Sequence, residues 1–327
     1  MKKKLLLTLF LSLLLFSGCK EADTESAPSD SAVSPTITVP DSNDYLEDEA
    51  PITTTPTPEI TATPTPEPDL GGSILPQEYY DLAKELSKKY HITIRIAEQC
   101  NTDFGDMLAE QIFDTDKIQA TLLMLDRALS NYPKDFFLQL NYSEYKSTEL
   151  NLVGKITYAG GIDSYAPTAF SQQNDGKNIL AISLLEDMDI VELNLYHESS
   201  HIIDKVLEYD SEHREDSYYS EDKWQSLNPE SFIELSPYMG GYYGSYDMMP
   251  MEYFEEEYVP YFISFYAMSF SSEDRATIFA EAMMGHDMPF TVNAPLMKKL
   301  DFYCTAIRDT FDTTGWPEET VWERILN

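Results

Sequence analysis

Asp189-Ile190-Val191-Glu192-Leu193-Asn194-Leu195-Tyr196-His197-Glu198-Ser199-Ser200-His201-Ile202-Ile203-Asp204, continuing to about Tyr209, contains no proline or glycine. Its apolar residues Ile190, Val191, Leu193, Ile202, Ile203, Val206 and Leu207 recur at spacings that cover one face of a helix. On that helix His197 and His201 are i and i+4, so their imidazoles lie one turn apart on the same side. A tetrahedral zinc accepts one nitrogen from each at that spacing. Glu198 then stands beside the metal, placed to take a proton from a zinc-bound water. The plainer alternative is a surface helix carrying two solvated histidines.

Working outward, the first 18 residues form no part of a core. Lys2-Lys3-Lys4 precede an apolar run from Leu5 to Phe16, which is closed by Ser17-Gly18-Cys19. This has the form of a secretion signal and is short for a membrane span. The small pair before Cys19 resembles a lipobox, which implies a lipid on Cys19 and attachment to the outer face of a bacterial cell membrane. Phe16 stands where that pattern usually has leucine, and an ordinary cleaved signal is the alternative. Residues 19–72 are rich in Pro, Thr, Ser, Asp and Glu, with Thr-Pro repeats at Thr55–Pro58 and Thr63–Pro66. Such a composition has too little apolar surface to offset ordering entropy, so a disordered, extended tether is expected. The folded domain is expected over residues 73–327.

The net charge is −35, from 22 basic and 57 acidic residues, and the signal removes only lysines. That balance excludes nucleic-acid binding and favours a soluble monomer. Beyond Cys19 only Cys100 and Cys304 remain, either paired in one disulfide or present as two buried thiols.

Helices are expected at Pro76–Tyr90, Asp116–Tyr132, Tyr258–Met268, Ser272–Met284 and Ala294–Phe311, and strands at His91–Ala97, Phe136–Leu140, Leu150–Ala159 and Asn178–Leu184. This is an α+β pattern: a small mixed sheet over the His197 helix, then a mainly helical C-terminal half. Asn178–Leu184 is read as an edge along which an extended peptide could pair. The tyrosine-rich stretch Asp210–Glu257 is long for a connection and is read as a functional loop or a partly helical cover that shapes the cleft.

A catalytic zinc site takes three protein ligands and keeps a fourth position open. The metzincin extension needs glycine at 204 and histidine at 207, where this chain has Asp204 and Leu207, so that class is rejected. His213, His286 and Asp247 are weak third-ligand candidates because each falls in a poorly matching context. Glu273, next to Ser272 at a helix start, is a better one. Acids in a first helical turn are also common without any metal.

The run Phe262-Ile263-Ser264-Phe265-Tyr266-Ala267-Met268 followed by Glu273-Asp274-x-Ala276-x-x-Phe279 resembles a segment of gluzincin-type bacterial zinc-binding metallopeptidases, secreted or lipoproteins. It is more distantly similar to the catalytic domain of anthrax lethal factor. The resemblance implies a zincin-like domain with one zinc per chain, Glu273 as third ligand and Tyr266 facing the substrate carbonyl. Ala276 and Phe279 match as packing positions, whereas Thr277 stands where the family often has a second glutamate. Outside the His197 helix and residues 262–279 the match is loose. Asp204, seven residues after His197, is placed to orient a histidine ring. These residues imply a surface-anchored zinc peptidase with Glu198 as general base, acting on a peptide or protein. The alternatives are a non-catalytic zinc-binding surface lipoprotein, for binding or sensing, and a zinc hydrolase of other amides.

Overall fold

The computed structural model describes residues 75–160, 166–234, 258–264 and 266–327. The signal segment, Cys19, the tether, Asp247 and the later part of the tyrosine-rich stretch lie outside the described residues.

The chain opens with α1 (Gln77–Tyr90), which stops at His91 in the left-handed region, and continues into β1 (Thr93–Ile96). After β2 (Met107–Ala109), Asp114 caps α2 (Thr115–Leu129) by accepting from the backbone N–H of Asp116 and Lys117. A short α3 (Phe136–Gln139) leads to β3 (Ser147–Val153), β4 (Ile156–Tyr158), β5 (Ala169–Asn174) and β6 (Lys177–Ser183). Then come α4 (Met188–His213), α5 (Glu221–Gln225) and α6 (Glu230–Glu234). Beyond the next gap follow a 3-10 turn at Tyr266–Met268, α7 (Ser271–Met284), α8 (Met288–Val292) and α9 (Ala294–Thr310). A closing 3-10 turn spans Val321–Leu326.

The domain is α+β. Its four-stranded mixed sheet runs β1-β3-β6-β5, parallel between β1, β3 and β6 and antiparallel between β6 and β5. Asp175 and Gly176 both take positive φ in the β5–β6 hairpin, the geometry of a type I′ turn. The sheet, α1, α2, α4, α7 and α9 enclose one large apolar core, while Phe104, Met107, Val153, Phe170 and Ile179 form a smaller one with β2 and β4.

Several expectations are corrected. Phe136–Leu140 is a helical turn, not a strand: the Leu138 N–H bonds the Asp135 carbonyl, and Phe136 and Phe137 both pack against Tyr132 in one aromatic cluster. The strand expected over Leu150–Ala159 breaks at Gly154. There the backbone passes so close to Glu110 that a Cβ would lie 3.2 Å from its carbonyl oxygen, and the chain leaves the main sheet to pair with β2. Asn178–Leu184 is no edge, since β6 is hydrogen-bonded on both sides; the edge beside it is β5. The helix expected over Tyr258–Met268 is a turn at Tyr258–Tyr261 and a separate 3-10 turn, because Pro260 lacks the amide hydrogen and disfavours helix at Val259. The helix expected from Ser272 begins one residue earlier, at Ser271, with Phe270 at the cap.

Cys100 and Cys304 sit in the two different cores and are free, so the disulfide alternative falls. Burial pushes the Cys100 thiol up to about 12 and holds the Cys304 thiol well above the usual cysteine value. Among the described residues no helix is long and apolar enough to cross a membrane. Alkylation under non-reducing conditions, mapped by mass spectrometry, should label both cysteines in denaturant and neither in the native chain. A disulfide-linked pair of peptides would contradict this packing.

Candidate metal centre

α4 carries His197 and His201 on one face, with ring centroids 4.8 Å apart and nearly perpendicular planes. Their Nε2 atoms approach to 3.2 Å. Glu273, in the first turn of α7, points its Oε2 at the same spot, 2.9 Å from His197 Nε2 and 3.5 Å from His201 Nε2. Glu273 and His201 are buried, whereas the His197 side chain keeps 13% of its surface.

This triangle fits zinc. For ligand bonds of about 2.0–2.1 Å, a tetrahedral ion sets its ligand atoms about 3.3 Å apart. The three observed edges, 2.9, 3.2 and 3.5 Å, bracket that value. The donor set is also right in kind: two imidazoles and a carboxylate. Burial alone would raise the Glu273 carboxyl, but the His201 charge and hydrogen bonds from both histidines outweigh it and hold the group down at about 2. The group is therefore an anion over the neutral pH range, as a ligand must be.

Helix packing makes this convergence possible. Ala276 and Ala280 lie three and seven residues after Glu273 and are completely or nearly buried, so the face of α7 that bears the ligand is lined by small residues. Ionic and polar contacts fix the register. Asp204, one turn past His201, accepts from Arg275 Nε at 2.8 Å and from Tyr303 Oη at 2.7 Å. The Tyr303 hydroxyl also lies 2.8 Å from Ser200 Oγ, so α4, α7 and α9 meet at one point beneath the ligands. Arg275 donates in addition to Glu221 and lies 5.4 Å from the rings of both Tyr219 and Trp224. Burial alone would lower the pKa of its guanidinium, but its charged surroundings, Asp204 first among them, hold it well above the usual arginine value.

The structure brings His197, His201 and Glu273 together, with Glu198 fully buried beside them on α4. It also sets the Tyr266 ring 6.2 Å from the His197 ring. Asp204 is occupied by Arg275 and Tyr303 rather than by a histidine ring, so its support of the site runs through helix register. His213 ends α4, exposed and stacked on Tyr209 at 4.0 Å, and His286 pairs with Glu281; neither joins the cluster. Thr277 is half-buried on α7. Arg275, Tyr303 and Lys299 escape the sequence reading. Only Lys299 leaves a signal there: it occupies the apolar stripe Leu296, Lys299, Leu300, Tyr303, Ile307 of α9, where a charge is out of place.

The candidate centre is thus a His-His-Glu metal site split between two packed helices. No protein-family description matches the sequence, and no curated protein matches it. Among solved structures the chain is similar to one described as a "putative zinc-binding metallo-peptidase" from Bacteroides caccae, with TM-score 0.43 and 14% identity. That similarity covers 76% of this chain and 90% of the other.

Zinc titration against a chromophoric chelator should give one tight site in the wild type. Glu273→Ala should weaken it on the order of a hundredfold or more, with unchanged far-UV circular dichroism. Wild-type affinity in that variant would remove Glu273 from the ligand set.

Proposed function

We propose that this chain is a zinc-dependent peptidase, held at the outer face of the cell membrane by a lipid on Cys19. The observation that carries the reading is the spacing of three converging ligand atoms, with Glu198 and Tyr266 flanking them. His197, His201 and Glu273 would hold the ion, which supplies Lewis acidity toward a water and a carbonyl oxygen.

The remaining work falls to the chain's own groups. Glu198 takes a proton from the attacking water as its oxygen bonds to the carbonyl carbon. It then delivers that proton to the amide nitrogen as the C–N bond breaks. Tyr266 donates a hydrogen bond to the oxygen that gains negative charge. Burial of Glu198 excludes bulk water from the proton transfer and keeps the carboxylate near one position.

An extended peptide would pair along β5, the edge strand next to the site. The entry to β5 is tied to the metal helix by Asn194 Nδ2, which donates to Thr168 Oγ1 at 3.2 Å three residues before His197.

Peptide turnover and zinc content measured together test this. Glu198→Gln should keep zinc and lose about a thousandfold in kcat, within the usual span for general acid-base groups. Tyr266→Phe should keep zinc and lose about a hundredfold, as for other oxyanion donors. A wild type that binds zinc and cleaves nothing in a proteome-derived peptide library would make the protein a zinc-binding surface lipoprotein without turnover.

A further inference from the structure

Lys299 is fully buried and its ammonium reaches two segments that are separate in sequence. Nζ donates to Asp274 Oδ2 at 2.6 Å, on the residue directly after Glu273. It also donates to the Tyr261 carbonyl oxygen at 2.8 Å, five residues before Tyr266. The ammonium lies 3.9 Å from the Phe262 ring centroid and 5.6 Å from that of Trp224. Phe262 and Trp224 are themselves buried, so the cation is sealed in by aromatic faces.

A buried ion pair is weak evidence of stability, since desolvation offsets much of the attraction and a matched apolar pair often folds as well or better. What an apolar pair lacks is the bond to Tyr261. That bond ties the Tyr261 carbonyl to α9. Downstream, the Tyr266 carbonyl is fixed by the Ser269 N–H at 3.0 Å, and the Ala267 N–H donates to Ser264 Oγ. The turn that carries Tyr266 is therefore held at its far end by its own backbone and at its near end by Lys299.

We infer that Lys299 is a positioning residue that sets the Tyr266 ring against the metal centre by linking the Tyr261 carbonyl to Asp274 beside the ligand Glu273. The inference rests on the proposed placement of Tyr266 at the site. It assigns Lys299 no part in proton transfer.

The test needs a readout at Tyr266 that does not depend on turnover. In the full chain, 3-fluorotyrosine placed at 266 reports the ring's surroundings by 19F NMR. Zinc should shift a single sharp line in the wild type. Lys299→Met/Asp274→Leu removes both charges at similar volume, and it should bind zinc within about threefold of wild type. Its Tyr266 line should broaden or split, and its zinc-induced shift should fall by about half or more. Asp274→Asn keeps an acceptor for Lys299 and leaves the Tyr261 bond, so it should retain the wild-type line. Ile307→Ala, a core truncation elsewhere on α9, should lower the melting temperature and leave the line unchanged.

In peptide turnover the paired substitution should lower kcat about tenfold at constant KM, and it should add less than about twofold in a Tyr266→Phe background, as expected for residues acting through one another. A folded, zinc-loaded paired variant with the wild-type Tyr266 line would overturn the inference. So would loss of the line in Asp274→Asn or in Ile307→Ala, or a wild-type line that ignores zinc. A zinc-responsive wild type without turnover would instead sink the peptidase reading and leave the role of Lys299 standing on the 19F result.

Discussion

The structure depends on keeping one carboxylate oxygen, from Glu273, about a hydrogen-bond length from two imidazole nitrogens whose helix lies some seventy residues earlier in the chain. A buried carboxylate is costly to desolvate unless opposite charge or donors compensate it. Here the two histidines provide that compensation only if α7 packs against α4 in one register and at one distance. A slip of one residue would turn Glu273 about 100° away from the histidines and bring a neighbouring side chain into its place. The small face of α7 sets the distance. Register needs directional contacts, and apolar packing alone supplies few.

Those contacts are an unusual group of buried charges. Asp204, Asp274, Arg275 and Lys299 all expose 1% of their surface or less. Removing one partner of such a pair typically costs about 3–5 kcal/mol, although the intact pair adds little over an apolar substitute. That asymmetry suits alignment better than stability, because wrong registers leave buried charges unpaired. Arg275 and Lys299 also both approach the Trp224 ring, at 5.4 and 5.6 Å. The segment after α4 is thereby seated against the same two cations that align the ligand helices. The Glu221 contact extends the network to α5, the first helix of the tyrosine-rich stretch.

Much of this was legible in the sequence, for reasons that can be named. α2 and α9 are long and clearly patterned, and α4 is a long run free of proline and glycine, so these helices are legible without tertiary context. The His197 and His201 pairing follows from helical spacing alone. Glu273 needed the resemblance, because a carboxylate in a first turn has a sufficient local reason to be there. β5 was missed although Asp175-Gly176 is a strong hairpin signal, since its polar half hides the strand alternation. Phe136 and Phe137 misled because aromatic residues favour strands until a tertiary cluster claims both faces. The partners of Asp204 were not legible. Spacing puts it on the face of the histidines, and only the packed arrangement shows that Arg275 and Tyr303 reach it first.

The place of β6 inside the sheet, rather than at its edge, changes how the site is supported. β6 is paired along its length with β3 on one side and β5 on the other, and only four residues separate it from α4. Lys117 grips that short connection by donating to the Leu184 carbonyl at 2.8 Å. The start of the metal helix is thus fixed by a strand that cannot shift without breaking two ladders. β5 is paired on one side only among the described strands and forms the edge of the sheet. The strand that anchors the histidines and the strand at the edge of the sheet are therefore different ones. The peptide pairing proposed along β5 would then leave intact the connection that positions His197 and His201.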